Sequence, residues 1–220
     1  MRWMQVVPAL VLCAGSLSAQ GFQGVITMRT GDVGANPVEM RVHVKGGRTA
    51  ILVPFQGMGP TVEARMVLDP AAKKVTMLVP MAMPGAKGMK MTMDMTESAG
   101  EAEASEGSIR RLGTSQTIAG MSCDDYAITS QGETSHVCLT GELGAYTIPS
   151  MGGRPGASPT MPRWARQMGD RFPLKVWRPD GAVLLEVLSV TRGPVSDDLF
   201  NTSPEGFQDM SGMMPGGRRN

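Results

Sequence analysis

Residues 38–45 read "VEMRVHVK". Val38, Met40, Val42 and Val44 alternate with Glu39, Arg41, His43 and Lys45, so one side of the segment is apolar and the other polar. A period of two marks a half-buried strand, because successive strand side chains point to opposite faces of a sheet. Gly46-Gly47 follows, then "RTAILVP": a tight turn and a second strand.

The same alternation runs outward in both directions. "FQGVITMR" precedes it; "TVEARMVLD" and "KVTMLVP" flank a turn at Asp69-Pro70, and "GMKMTMDM" comes next. "RRLGTSQTI" leads into "CDDYAITS" and "TSHVCLT", which flank "QGE", while "PLKVW" and "AVLLEVLSVTR" flank "RPDG". These segments predict about ten or eleven short strands. Short connections make sequential neighbours pair antiparallel. One helix is expected, in "TMPRWARQMG" near 160–169.

The N-terminus has the order of a secretory signal: a charge at Arg2, an apolar run from Val6 to Ala14, then small and polar residues to Ala19 and Gln20. That run is too short to span a bilayer, and no later segment is long and apolar enough for an integral span. The expected division is a signal peptide at 1–19 and one β domain at 20–210, with a flexible acidic loop at 97–108 and a disordered tail at 211–220. The resulting location is periplasmic or secreted. With 21 basic and 20 acidic residues, the chain lacks the basic excess that nucleic-acid binding demands.

Cys123 and Cys138 remain after cleavage, an even number in an exported chain, which predicts a disulfide. A two-residue loop at Ser130–Gln131 sets Cys123 opposite Cys138 and Asp125 opposite His136. The bridge then lies on the outer, polar face, with Tyr126, Ile128, Val137 and Leu139 facing inward. Asp125 and His136 read as an exposed ion pair. No nucleophile elbow, zinc-binding helix or phosphate loop occurs, so no catalytic residue is assigned and the chain is not read as an enzyme.

Twenty methionines against 5% aromatics make a soft, adaptable interior. Met28, Met40, Met66, Met77, Met81, Met89, Met91, Met93 and Met95 each fall in phase with the apolar face of their own strand. Thioethers also suit Cu(I) or Ag(I). Side chains two apart on a strand stand about 7 Å apart, so one strand cannot close a site. His43 and His136 read as lying on polar faces, away from the methionines. No metal site or cofactor is assigned. Asn201-Thr202-Ser203 is a formal sequon.

In order, "GFQGVITMRT", "VHVKGGRTAIL", "MVLDPAAKKVTMLVP", "KMTMDM", "TIAGMSCDDYAI" and "FPLKVWRPDGAVLLEVLSV" resemble the bacterial exported family known as domain of unknown function 4412. The strand pattern also resembles that of the periplasmic lipoprotein-carrier superfamily. There an antiparallel sheet curls into a half-open barrel whose concavity holds acyl chains. The resemblance implies an all-β-dominated fold: a single strongly curved antiparallel sheet (half-open barrel) of about ten strands with one short helix.

The expected function is a non-enzymatic binding module. It holds a lipid, acyl chain or apolar peptide on a concave face lined by Met40, Met66, Met77, Met81, Met89, Met91, Met93 and Met95. The alternatives are a periplasmic soft-metal-binding protein and an envelope structural or interaction protein without a small ligand. The sequence does not set the oligomeric state.

Overall fold

The structure is a computed structural model describing residues 21–31, 37–55, 61–83, 85–95, 108–130, 132–145 and 168–211. The expected signal peptide, nearly all of the acidic loop and all of the tail after Ser211 lie outside these residues. So does the expected helix, apart from Met168, which sits in a turn, and Gly169.

Twelve strands make one sheet: β1 (Gly24–Thr30), β2 (Val38–Lys45), β3 (Arg48–Phe55), β4 (Val62–Asp69), β5 (Lys74–Met83), β6 (Ala86–Asp94), β7 (Ser108–Ile118), β8 (Met121–Ser130), β9 (Glu133–Thr140), β10 (Phe172–Trp177), β11 (Val183–Arg192) and β12 (Phe207–Asp209). Their order across the sheet is β12-β6-β5-β4-β3-β2-β1-β11-β10-β9-β8-β7. Every pairing is antiparallel except β12 with β6, which is parallel. The chain therefore builds two meanders, β1–β6 and β7–β11, which meet where β1 pairs with β11.

Local chemistry sets the turns. Gly46 and Gly47 both take positive φ (58° and 75°) between the paired residues Lys45 and Arg48, as a two-residue hairpin requires. At Asp69-Pro70 the carboxylate of Asp69 accepts from the Ala72 amide at 2.9 Å, holding the turn before β5. Ala119 adopts φ 50° in the turn between Ile118 and Met121, a left-handed conformation unusual for a residue with a Cβ.

The alternation read in β2 holds at its centre and not at its ends: Val38 is 39% exposed, while His43, Val44 and Lys45 are all half-buried. Val42 is buried, and its register partners Ile26 and Ile51 are buried with it. The main core is continuous from Leu68 and Val75 through Ile51, Val42, Ile26 and Met28 to Val187, Leu174, Cys138 and Cys123. Each fully buried side chain of this size contributes about 1.5–3 kcal/mol. Two smaller clusters are separate from it: Ile128, Val137, Leu139 and Met168, and Ala50, Val67, Val195 and Phe200.

The expected strand number and curvature are corrected here. The sheet has twelve strands and is neither closed nor strongly curled. A sheet closes only when its first and last strands pair, and here these are β12, three residues long, and β7, whose ladder is irregular between Arg111 and Ser115. Among the described residues the helical content is one short 3-10 turn, Asp197–Phe200.

That turn belongs to a strap, 194–211, that runs from β11 to the far edge of the sheet. Lys45 Nζ donates to the Val195 carbonyl (3.1 Å) and to Asp197 (2.8 Å). Arg65 donates to the carbonyls of Asp198 (2.8 Å) and Asn201 (3.1 Å), and the Arg48 guanidinium lies 4.9 Å from the centre of the Phe200 ring. Val195 and Phe200 are thereby buried against Ala50 and Val67. The strap ends as β12, with Lys87 N donating to Gly206 O at 2.7 Å and Met210 N to Lys90 O at 2.8 Å.

Candidate functional site

The strand registers bring the methionines of three adjacent strands into one array. Met66 of β4 stands opposite Met77 of β5, and Met77 stands opposite Met91 of β6. On the inner side this row continues through Ile51, Val42 and Ile26. Flanking rows pair Met93 with Val75 and Met89 with Val79. Met40 pairs with Met28, which is fully buried.

Exposure rises along the row. Met66 is 7% exposed, whereas Met77 and Met91 are half-buried. Met40, Met81, Met89, Met93 and Met95 are half-buried too. Met91 and Met93 are thus no better covered in class than Met89 and Met95, although they sit mid-strand. Met81 lies where the β5–β6 register slips between Pro80 and Met83. The methionine array passes without a break from the core to a surface that solvent reaches.

β6 is not the sheet edge. β12 covers it, setting Phe207 beside Gly88, Gln208 beside Met89 and Asp209 beside Lys90. Asp209 is held well below the usual carboxylate range, at about 2, by the Ser211 hydroxyl first, then the Ser211 amide and Lys90. Ser211 also accepts from the Thr92 amide at 2.8 Å, tying the strap to the methionine strand. No pattern in "GFQDMSG" announces this role: three residues at an edge carry no periodicity to read.

The histidines lie apart from the methionines. His43 alternates with Val42 and pairs with Val25 and Ala50. Its Nε2 is buried without a hydrogen-bond partner. Burial and Arg41 lower its pKa, with Glu63 opposing them. His136 lies in the other half of the sheet, its ring edge-on to Trp177 at 5.4 Å.

The expected Asp125–His136 ion pair does not form. Ser130 pairs with Glu133, Asp125 with Cys138, and His136 with Ala127. Asp125 is 5% exposed and accepts from Thr114 Oγ1 (2.7 Å) and Gln116 Nε2 (2.8 Å). The Cys123–Cys138 disulfide is present with a Cα–Cα distance of 5.3 Å, reached across a diagonal of the ladder. It lies within the main core, not on an outer polar face: Cys123 is 3% exposed and Cys138 0%. Tyr126, Ile128, Val137 and Leu139 do pack together, as the separate cluster around Met168.

Away from the array, a cleft of about 220 Å³ is lined by Glu39, Arg41, Leu52, Pro54, Thr61, Val62 and Glu63. The Arg41–Glu63 ion pair sits in it. Asn201 of the sequon is exposed, and its side-chain oxygen accepts from the Ser203 amide at 2.9 Å. Among the described residues no three of His, Cys, Asp and Glu stand close enough to hold a metal ion, and no helix is long and apolar enough to cross a membrane.

The family model for a domain of unknown function, DUF4412, matches residues 22–207, which spans the sheet from before β1 to the start of β12. The chain belongs to the DUF4412 family. The methionine array, the disulfide and most of the strap therefore lie inside the family domain. A search of curated proteins finds no match. Two solved structures of PNGF-II, in C2 and P21 crystal forms, are similar over 86% and 88% of this chain at 16% identity, with TM-scores of 0.46 and 0.45. This chain spans 32% and 33% of their length, and no argument is rested on a likeness of that degree.

Proposed function

We propose that this DUF4412 chain is an exported, non-enzymatic binding module that holds a lipid, acyl chain or apolar peptide on the methionine face of β4–β6. One observation carries the reading: the Met66–Met77–Met91 row runs from a buried core position to half-buried ones without a polar interruption. Unbranched, polarizable thioethers repack around ligands of varied shape at little cost. In the lipoprotein-carrier superfamily a half-open barrel holds the acyl chain. The sheet here is open, so the ligand lies along a face and is not enclosed by a barrel.

Export rests on Arg2 and the apolar run to Ala14. Intact mass of the secreted protein should place the mature N-terminus at or within about two residues of Gln20.

Native mass spectrometry of the mature protein from its source cell, with titration of a fluorescent fatty acid, tests the binding reading. Wild type and the Met77→Leu/Met91→Leu variant should bind, because leucine keeps the apolar volume. Met77→Asp/Met91→Asp should stay folded and lose binding, since carboxylates would meet the acyl chain unpaired. Equal fatty-acid binding by the Leu and Asp variants, or none by wild type, overturns the proposal.

A further inference from the structure

We propose that Met66, Met77 and Met91 together form a binding site for a soft monovalent cation, Cu(I) or Ag(I). The inference goes beyond the apolar-ligand reading and does not depend on it. From the sequence alone, Met-x-Met spacing fails as a site because neighbours on one strand stand about 7 Å apart. The observed register removes that obstacle. The three methionines sit on three adjacent strands, Met77 directly opposite both of the others.

Directly opposed residues of an antiparallel pair stand about 4.5–5.5 Å apart at Cα. Met66 and Met91 therefore flank Met77 at about one strand spacing, 4.7–4.9 Å, on either side. Three rotatable bonds let each outer thioether lean toward the middle one, giving three sulfur donors around one point. Such a set is neutral and wholly soft, which selects Cu(I) and Ag(I) over Zn(II) and Cu(II), whose preferred donors are imidazole, thiolate and oxygen. Cysteine and histidine do not contribute: Cys123 and Cys138 are in the disulfide, His136 packs on Trp177 and His43 pairs beside Ala50. The half-buried positions of Met77 and Met91 give a cation a route to the row and leave its charge partly hydrated.

Anaerobic titration of the full mature protein with Cu(I) against a chromophoric Cu(I) chelator tests this, repeated with Ag(I) in chloride-free buffer. Wild type should take up one equivalent, and excess Zn(II) should not displace it. Met91→Leu, at one of the two half-buried positions of the row, should weaken binding, and Met77→Leu/Met91→Leu should abolish it. Met28→Leu, a buried methionine outside the row, should bind as wild type does. Circular dichroism confirms that each variant is folded, and Met91→Leu alone decides the matter if the double variant is not. Absence of uptake by wild type, or unchanged uptake by Met91→Leu, overturns the proposal. The two readings fail separately: fatty-acid binding by wild type tests the apolar face, and Cu(I) uptake by Met91→Leu against wild type tests the metal site.

Discussion

Asp125 stands opposite Cys138 in the β8–β9 ladder, so a buried carboxylate is the register neighbour of a buried disulfide. Both sulfur-bearing residues are in the core, and the bridge closes a loop of 15 residues. Closure of a loop that size contributes about 3 kcal/mol on the chain-entropy model. Non-reducing peptide mapping should recover Cys123 linked to Cys138. Reductant should act slowly on the folded protein and quickly after partial denaturation, and a Cys123→Ala/Cys138→Ala chain should melt at lower temperature. Free thiols in oxidised, folded protein would contradict the pairing.

The Asp125 carboxylate is satisfied by two neutral donors, Thr114 and Gln116, which brings the β7 edge strand onto β8. Asp125→Ala should cost about 1–3 kcal/mol, because both donors lose their acceptor in a buried place. Asp125→Asn retains one acceptor oxygen and should cost less. Urea denaturation of the two variants orders them.

Gly88 is where β12 and β5 close on β6. A Cβ there would lie 2.5 Å from the Val79 carbonyl oxygen and 2.7 Å from the Phe207 ring. Gly88→Ala should destabilise the protein by about 1–3 kcal/mol, the usual range for overpacking. Phe207→Ala in that background should relieve only part of the loss, since the clash with the backbone of Val79 remains. A double-mutant cycle measured by thermal unfolding checks this; full rescue would show that the ring alone sets the limit.

Acid should loosen the strap. Asp209 has a folded pKa of about 2 against an ordinary 3.8, held down by Ser211 and Lys90. A depressed carboxylate pKa adds stability that is complete above the unfolded value and is lost as pH falls through the folded one. The window is therefore pH 3.8 down to about 2. The carboxylate is exposed, so solvent screens the effect and it should be local. Amide exchange at Thr92 and Met210, both bonded across the β6–β12 junction, should quicken through that window in wild type. Asp209→Asn should show the quicker exchange already at neutral pH.

Much of this fold is legible in the order of residues. The alternation in 38–45, 62–69 and 74–79 and the Gly46-Gly47 and Asp69-Pro70 turns locate β2 through β5 in register. The hairpin that carries the cysteines was legible too, but by a different signal from its polar composition. Gly132 takes φ 78°, the positive φ that a tight hairpin turn demands, and Ser130 pairs with Glu133. Reading the turn at 130–131 shifts the pairing by two residues, which keeps every side chain on its face but changes its partner. That is why the disulfide was expected correctly while the Asp125–His136 pair was not. Its placement outside was a separate error: Cys123, Asp125 and Ala127 on one face and Ile128 on the other are all buried, so both faces of β8 are covered. The strap and β12 leave no such trace. Their position depends on Lys45, Arg48 and Arg65 meeting residues some 130–150 positions later. For the methionines, phase along each strand was readable, but which ones stand side by side depends on two strand registers at once.

The seam between the two meanders sets the order in which the molecule can be made. Each meander grows from hairpins between strands adjacent in the chain and can assemble soon after its own residues are free. The β1–β11 ladder joins Gly24 to Arg192 and Thr30 to Leu185, so it must wait for nearly the whole polypeptide. Contacts of such separation slow folding, because the chain between them must be ordered before they form. Until then β1 offers an unpaired backbone beside the apolar side chains of Ile26 and Met28, a template for any passing strand. Nascent chains stalled before residue 183 should therefore associate, and those completed past 192 should not.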